Sequence, residues 1–300
     1  MKNLPVMEGK PPKASKPEDI SDTPILMPRG WAKVFHYALL GFVALLFLAP
    51  AFWMISSSLK PDYEIFATPP SLWPANPRWA NYAEALTALP FGRFAINTLI
   101  IALSSIVGHL LSCSVVAYGF ARLNAPGKGF FFVLLLSTLM LPYPVTMVPL
   151  FIIFSKLGLV NNFTPLILPT FFGNAFYIFL LRQSFKQIPP DLEDAAKMDG
   201  ANTRQILINV ILPLSRPALA TVAIFTFQAA WNDFLAPLIF LHDQSHYTLQ
   251  LGLSLFHGAY NVQWAYLMAS SLVVTLPVIV LFFFAQRAFI EGIGFTGTKI

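Results

Sequence analysis

Long apolar runs constrain this chain more than any other feature of its sequence. Of its 300 residues, 56% are hydrophobic and only 11% are charged, whereas soluble domains contain about 25% charged residues. A run of about 20 apolar residues is long enough to cross the hydrocarbon core of a bilayer as a helix. The sequence therefore predicts an all-α polytopic membrane protein.

Six such runs are predicted to be transmembrane helices. Their approximate bounds are 34–57, 94–120, 130–154, 165–181, 218–241 and 265–284. The third run contains Pro142, Pro144 and Pro149. It is expected to be kinked or broken, because proline lacks the N–H group that a helix interior uses. A short helix at the membrane interface is expected to begin near Pro77.

The distribution of Lys and Arg predicts the orientation. If the N-terminus is inside, the predicted inner segments hold 15 of the 19 Lys and Arg residues and the outer segments hold 4. Cytoplasmic loops carry such an excess, so both termini are predicted to be cytoplasmic. The predicted organisation is a mostly disordered tail over 1–32, a transmembrane domain over 33–290 and a C-terminal tail over 291–300.

Several other classes of protein lack support in the sequence. The single Cys113 excludes an intrachain disulfide, and the five His residues show no metal-ligand spacing, so no metal site is predicted. No phosphate-cradling Gly loop is present, so the chain is not expected to hydrolyse ATP. The excess of Lys and Arg in the predicted inner segments accounts for the net charge of +5. This charge therefore does not indicate nucleic-acid binding. A membrane enzyme would need a nucleophile, base or metal cluster, and none assembles.

The polar stretch 188–217 predicts a helix-turn-helix outside the bilayer. Pro189 and Pro190 stop the preceding helix and can open a new one. Gly200 is expected to end that helix in the left-handed conformation. Asn202 is expected to cap the next helix, with Gln205 placed as in a capping box. The first turn holds acids, which favour the helix dipole: Asp191, Glu193 and Asp194.

The order of residues in this stretch resembles the EAA loop of ABC-importer permeases. That pattern is E-A-A, three residues, G, nine residues, I, one residue, L-P. The corresponding residues here are Asp194, Ala195, Ala196, Gly200, Val210, Leu212 and Pro213. Asp194 replaces the usual Glu and Val210 the usual Ile, and both replacements keep charge or bulk.

Further stretches from about Phe91 onwards resemble carbohydrate-uptake ABC permeases, in particular the second permease subunit of the maltose and glycerol-phosphate importers. They are AYGFAR at 117–122, LPYPVTMVPLFIIFSKLGLVNNF at 141–163, WNDFL at 231–235 and EGIGFTGTK at 291–299. The resemblance implies an EAA-type permease core over about 91–290. The first 90 residues match that family only in layout.

The resemblance implies a transport subunit and not an enzyme. The chain would be the permease of an ATP-driven, binding-protein-dependent importer of a sugar or sugar-like solute, working by alternating access in a bacterial or archaeal inner membrane. Its partners would be a second permease, two ABC ATPase subunits, an extracytoplasmic solute-binding protein and the lipid bilayer. ATP and Mg²⁺ would bind in the ATPase, and this chain would bind no cofactor. A homodimeric permease is an alternative within this class.

The resemblance also makes the helix over 191–200 the coupling helix, which docks in a groove of the ATPase. Glu193 and Asp194 would meet basic or polar groups there, and Ala195 would allow close packing. The C-terminal tail would also touch the ATPase. The full predicted coupling set is Asp191, Glu193, Asp194, Ala195, Ala196, Asp199, Gly200, Leu212 and Pro213.

The fifth predicted span carries a candidate solute path or gate. Its members are Gln228, Trp231, Asn232 and Asp233. An ionisable residue within a span indicates function, and aromatic and amide groups suit sugars. The alternative interpretation is that this cluster holds helices together or lies near the outer interface, and that alternative or a gating role is favoured. His109 in the second span is expected to be a packed or interhelical hydrogen-bonding group.

The alternative function is an ion-coupled secondary transporter of a small solute. Such a carrier would show internal repeats and more charged groups within its spans, and this chain has little of either. No Lys or Arg falls clearly inside a predicted span, which favours a neutral sugar over an anionic one as the solute.

Overall fold

The structure is a computed structural model that describes residues 30–258 and 262–294. The chain divides into two compact units, residues 1–51 and 52–300. Most of the predicted tail 1–32, and residues 295–300 of the predicted C-terminal tail, lie outside the described residues. Within the described ranges every regular element is a helix, so the prediction of an all-α protein is confirmed.

The α-helices of the described ranges vary in length from 3 to 32 residues. In chain order they are α1 (Trp31–Ser58), α2 (Asp62–Ile65), α3 (Ala80–Ala88), α4 (Phe91–Arg122), α5 (Lys128–Ser137), α6 (Tyr143–Lys156), α7 (Thr164–Ile167), α8 (Ala175–Gln187), α9 (Pro190–Met198), α10 (Thr203–Ile206), α11 (Leu212–Leu214), α12 (Arg216–Asn232), α13 (Leu235–Phe240), α14 (Leu249–Ser254) and α15 (Trp264–Gly294). A π-helical segment, Leu207–Ile211, joins α10 to α11.

Six candidate membrane spans can be counted in the described residues. Four are long apolar helical runs, over 33–58, 91–122, 164–187 and 264–286. Two more are helix pairs that bend at a break. Lys128–Met140 and Tyr143–Lys156 meet at 97°, and Thr203–Leu214 and Arg216–Asn232 meet at 80°. Counting each pair as one span gives the predicted number. The placement of both termini in the cytoplasm stays a prediction.

The third predicted span is broken as its prolines indicate. Helix α5 gives way to a short 3-10 turn, Thr138–Met140, and α6 starts anew after Pro142. Pro142 has φ −66° and ψ 140°, an extended conformation that cannot continue a helix. The prediction of a kinked or broken helix is therefore confirmed.

The fourth and fifth predicted spans are interrupted, and the expectation of continuous helices there is wrong. In the fourth, Gly173 adopts φ +89°, and Asn174 caps α8 by accepting hydrogen bonds from the N–H groups of Phe176 and Tyr177. In the fifth, α12 ends at Asn232. Hydrophobicity predicts both spans as single helices. Short polar side chains that accept hydrogen bonds from backbone N–H groups start a new helix within each of them, as Asn174 does for α8 and Asp233 for α13.

Helix α4 is the centre of the second unit. Near its Arg122 end it packs against α8 and α12 in a core that includes Tyr118, Leu181 and Phe185. Near its Phe91 end it packs against α14. The sequence analysis predicted no helix between 241 and 265. Helix α14 forms there because Leu249, Leu251 and Leu253 are buried. Gly252 leaves room for the ring of Phe94 beside it.

The predicted interfacial helix is present as α3. Its start is held to the end of α1, because the Asn81 side-chain amide donates hydrogen bonds to the carbonyls of Ser58 at 2.8 Å and Lys60 at 3.0 Å. On the same helix, Glu84 pairs with Arg78 at 2.9 Å and accepts a hydrogen bond from the Tyr266 hydroxyl at 2.7 Å. Helix α3 is thereby attached to both α1 and α15.

Candidate functional site

Helix α9 corresponds to the helix predicted over 191–200. The residues predicted to begin and end it do so in the structure. It begins at Pro190. Gly200 adopts φ +83°, the left-handed conformation that glycine takes at a helix end without steric cost. The Ala201 N–H donates to the Ala196 carbonyl at 2.9 Å. Asn202 and Gln205 then form a complete capping box at the start of α10, so both predicted caps are confirmed.

Glu193 connects α9 to the transmembrane core. Its Oε1 lies 2.8 Å from Nε of Arg122, and both side chains are nearly inaccessible, at 8% and 12% of full exposure. The N–H direction is not aligned for a hydrogen bond, so the contact is an ion pair. The same guanidinium donates to the carbonyl of Phe185 at 2.6 Å and to that of Ile188. Arg122, the last residue of α4, therefore connects this helix to the end of α8 and to the beginning of α9.

This arrangement corrects one expectation about the site. Glu193 was expected to meet basic or polar groups of the ATPase, whereas in the structure it meets Arg122 of the same chain. The acid is buried at 6% exposure. It lies on the inner face of α9 together with Ala196, which packs against the core of α4, α8 and α12. Arg122 ends the AYGFAR stretch, but no sequence pattern pairs it with Glu193.

The opposite face of α9 is exposed and partly apolar. Leu192 and Met198 are 44% and 88% exposed, and Ala195 is also exposed. Asp194 forms an exposed ion pair with Lys197 at 2.8 Å. The hydrogen bond from Lys197 to Asp194 raises the pKa of the Lys197 amine. Exposed apolar side chains grouped on one helix face are typical of a protein contact surface.

The remaining members of the predicted coupling set lie around this helix. Asp191 is exposed in the first turn, and Asp199 is exposed at the C-cap. Leu212 and Pro213 open the short helix α11, which follows the π-helical segment. They lie farther along the chain than α9 itself, close to the bend that leads into α12.

The four candidates of the fifth predicted span separate in the structure. Trp231 is buried and donates from Nε1 to the carbonyl of Val274 at 3.0 Å, so it ties α12 to α15. The Asn232 side chain is exposed and donates to the Gln228 carbonyl at 2.9 Å. Gln228 lines two other pockets, one beside Phe225 and one beside Phe282. The packing interpretation therefore suits Trp231 best.

Asp233 alone of these four lines a cavity of the second unit beside α4 and α12. This cavity measures about 310 Å³. Seven of its lining residues carry hydroxyl, imidazole or carboxyl groups: Ser105, His109, Tyr143, Thr170, Thr226, Asp233 and Thr248. Asp233 Oδ1 accepts a hydrogen bond from the Ala236 N–H at 3.2 Å, and the Leu235 N–H also donates to the carboxylate. The acid thereby holds the start of α13 and borders the cavity.

His109 joins two helices beside the cavity, as the sequence analysis expected. Its Nδ1 lies 3.1 Å from the Thr226 hydroxyl, which links α4 to α12. Its ring packs edge-on against Tyr177 of α8 with centroids 4.9 Å apart. No sequence pattern groups His109 and Tyr143 with Asp233, because 124 and 90 positions separate them from it in the chain. In the part of the chain that the structure describes, no three metal-ligating side chains come together.

Comparisons with known proteins agree with the predicted fold and family. The diacetylchitobiose uptake system permease of Streptomyces coelicolor is 33% identical over 262 residues, which cover 86% of each chain. The arabinooligosaccharide transport permease of Halalkalibacterium halodurans is 33% identical over 280 residues, covering 92% of this chain and 98% of its own. A chain of a bacterial ABC transporter that imports the acidic polysaccharide alginate superposes with a TM-score of 0.74 at 26% identity. The superposition covers 85% of this chain and 95% of that one.

The matched region also contains the site built from α9 and the cavity. Residues 104–293 match the family described as binding-protein-dependent transport system inner membrane component. That range includes α9, the Arg122–Glu193 ion pair and most of the cavity. The chain is a multi-pass membrane protein and belongs to this family of ABC-importer permeases.

Proposed function

We propose that this chain is the permease of an ATP-driven importer of a neutral sugar or oligosaccharide in a bacterial or archaeal plasma membrane, and that α9 is its docking helix for an ABC ATPase. Two of its relatives are described as permeases for diacetylchitobiose and arabinooligosaccharides. No Lys or Arg is found among the described residues that line the cavity, which supports a neutral solute.

The two-faced character of α9 carries this proposal. Its inner face is fixed to the membrane core through Glu193 and Ala196, and its outer face exposes Leu192, Ala195 and Met198. At 88% exposure, Met198 is accessible to a partner protein. A helix that docks in a groove of another protein needs such anchors.

Movement of α9 would reach the cavity through two routes. One runs from Glu193 through Arg122 into α4, which carries Ser105 and His109. The other runs through α10, the π-helical segment and α11 into α12, which carries Thr226. A buried ion pair has little freedom to change length, so a displacement of α9 is passed on to α4. Closure of the ATPase dimer on ATP would thereby change the cavity between inward-open and outward-open forms.

The complete importer would contain further subunits. A second permease would complete the path, two ATPase subunits would bind ATP and Mg²⁺, and an external solute-binding protein would deliver the sugar. The family description itself names binding-protein dependence. Identification of the subunits that co-purify with this chain tests the proposal.

The experiment is affinity purification of the tagged chain from membranes of its host, followed by identification of co-purifying proteins and assay of ATP hydrolysis. Leu192→Asp with Met198→Asp places two charges on the outer face of α9 and should abolish ATPase recovery. Ala83→Asp is the matched control, because Ala83 is exposed on α3, on the predicted opposite side of the membrane. Recovery of the native chain without any ATPase would refute the proposal.

A further inference from the structure

We infer that the cavity beside α4 and α12 is a solute site, where Asp233 and Tyr143 bind the hydroxyl groups of a neutral sugar unit. This inference rests on the proposed function and names the site within it. It assigns solute contacts to this chain itself, and it separates Asp233 from Gln228, Trp231 and Asn232, which do not line this cavity.

The size and composition of the cavity suit a small polyhydroxylated ligand. At about 310 Å³ it lies at the lower end of the range of small-molecule sites. Its walls combine apolar surface from Ile101, Leu166 and Pro237 with the seven hydroxyl, imidazole and carboxyl groups. Sugar rings have apolar C–H faces and polar edges, so they need both kinds of wall.

Asp233 is held in place and keeps unused acceptor capacity. Two backbone N–H groups, of Leu235 and Ala236, bind its carboxylate. An ionised carboxylate offers about four acceptor positions. The remaining positions can accept hydrogen bonds from sugar hydroxyls without any rearrangement of the helix break. The negative charge also disfavours an anionic solute, because no cation of the described chain lines the cavity to offset it.

Tyr143 and His109 complete the polar lining from two other helices. Tyr143 starts α6, directly after the break at Pro142, and is 43% exposed. Within the described residues its hydroxyl and Nε2 of His109 have no hydrogen-bond partner. Nδ1 of His109 is engaged by Thr226, so Nε2 is the atom left to face a ligand. A phenol and an imidazole can each donate or accept a hydrogen bond.

The test measures uptake of labelled diacetylchitobiose, lactose and an arabinotriose by cells that contain the complete importer. The sugar that the native importer transports is then used for kinetics. Asp233→Asn keeps an oxygen for the N–H groups of α13 but removes the charge. It should raise KM at least tenfold, since hydrogen bonds to charged groups are the stronger ones, and should leave ATPase recovery unchanged.

Two further variants make the result decisive. Thr87→Ala is the control, because this exposed hydroxyl of α3 lies outside the cavity and donates to the carbonyls of Ala83 and Glu84; its KM should stay within twofold. Tyr143→Phe removes one hydroxyl at a half-exposed position and tests the site independently if Asp233→Asn fails to assemble. It should raise KM several-fold with little change in kcat.

The outcomes separate the two proposals. If the native chain recovers an ATPase and imports a sugar, but Asp233→Asn and Tyr143→Phe keep the native KM, the cavity is not the solute site and the proposed function stands. If no ATPase is recovered and no sugar is imported, the proposed function itself has failed. A raised KM in both variants, with the control unchanged, supports the site.

Discussion

The guanidinium of Arg122, in the last turn of α4, lies 2.8 Å from the carboxylate of Glu193, in the first turn of α9. Glu193 is buried, and the Arg122 side chain is only 12% exposed. The two residues are far apart in the chain, at either end of the segment that contains the broken third span and α8. Their pairing makes α9 part of the transmembrane core. Among the acids of α9, Glu193 therefore holds the helix to the core, whereas Asp191 and Asp194 are exposed.

Loss of this ion pair should be costly. Glu193→Gln keeps the side-chain shape but leaves the Arg122 charge buried without its partner, and removing one member of a buried pair destabilises a protein by about 3–5 kcal/mol. The control is Asp194→Asn, which breaks the exposed ion pair with Lys197 and should change stability little, because solvent screens such pairs. The measurement is the free energy of unfolding in mixed micelles by SDS titration. Equal effects of the two substitutions would contradict a structural role for Glu193.

Gly252 of α14 should tolerate no larger residue. A Cβ atom there would lie 2.4 Å from Cδ2 of Phe94, a side chain with no exposed surface. Gly252→Ala should therefore destabilise the protein by about 1–3 kcal/mol, as overpacking of a core does. Gly119→Ala in α4 is the matched control, because nothing lies within 4 Å of its added Cβ, and it should be neutral or stabilising. Thermal melting of both variants in detergent checks the difference, and a neutral Gly252→Ala would show that α14 does not pack against α4 in this way.

Asn161 should hold the turn after α6 to the segment after α13. Its Nδ2 donates to Asp243 at 2.5 Å, and its Oδ1 accepts from the N–H groups of His242 and Asp243, both at 3.0 Å. Asn161→Ala removes these bonds and leaves alanine at φ +63°, so a loss of about 2 kcal/mol is expected. Asn162→Ala removes a single bond, from the Thr164 N–H to Oδ1, and should cost less. Unfolding free energies of the two variants provide the comparison, and the reverse order would contradict the role of Asn161.

Glu84 should make the attachment of α3 sensitive to acid. The Tyr266 hydroxyl, followed by Arg78, lowers the pKa of this carboxylate below its ordinary value of 4.5. Because the pKa is lower in the folded chain, the charged form contributes stability above pH 4.5, and that stability is lost as the pH falls through the folded pKa. Wild type should lose more stability than Glu84→Gln between about pH 6 and about pH 3.5. The check is unfolding by SDS at both pH values, and identical losses would remove Glu84 from the explanation.

Much of this protein follows from short-range features of its sequence. Apolar runs predict the spans, and prolines predict the break at Pro142. Pro190, Gly200 and the Asn202 capping box predict α9 and its turn. These features act within a few residues, through helix length, missing N–H groups and backbone conformation. The EAA-type spacing also predicted the family, which leaves the ion-coupled carrier without support.

Tertiary structure alone decided which polar groups meet. Glu193 and Asp194 are adjacent acids in the sequence, yet helix geometry turns one toward Arg122 and the other outward. Asp233 and Trp231 belong to one motif, yet α12 ends between them at Asn232. Asp233 lines the cavity, whereas Trp231 packs against α15. Sequence spacing assigns residues to a helix. Which neighbour each side chain meets depends on how α4, α8, α12 and α15 pack, and no local pattern encodes that packing.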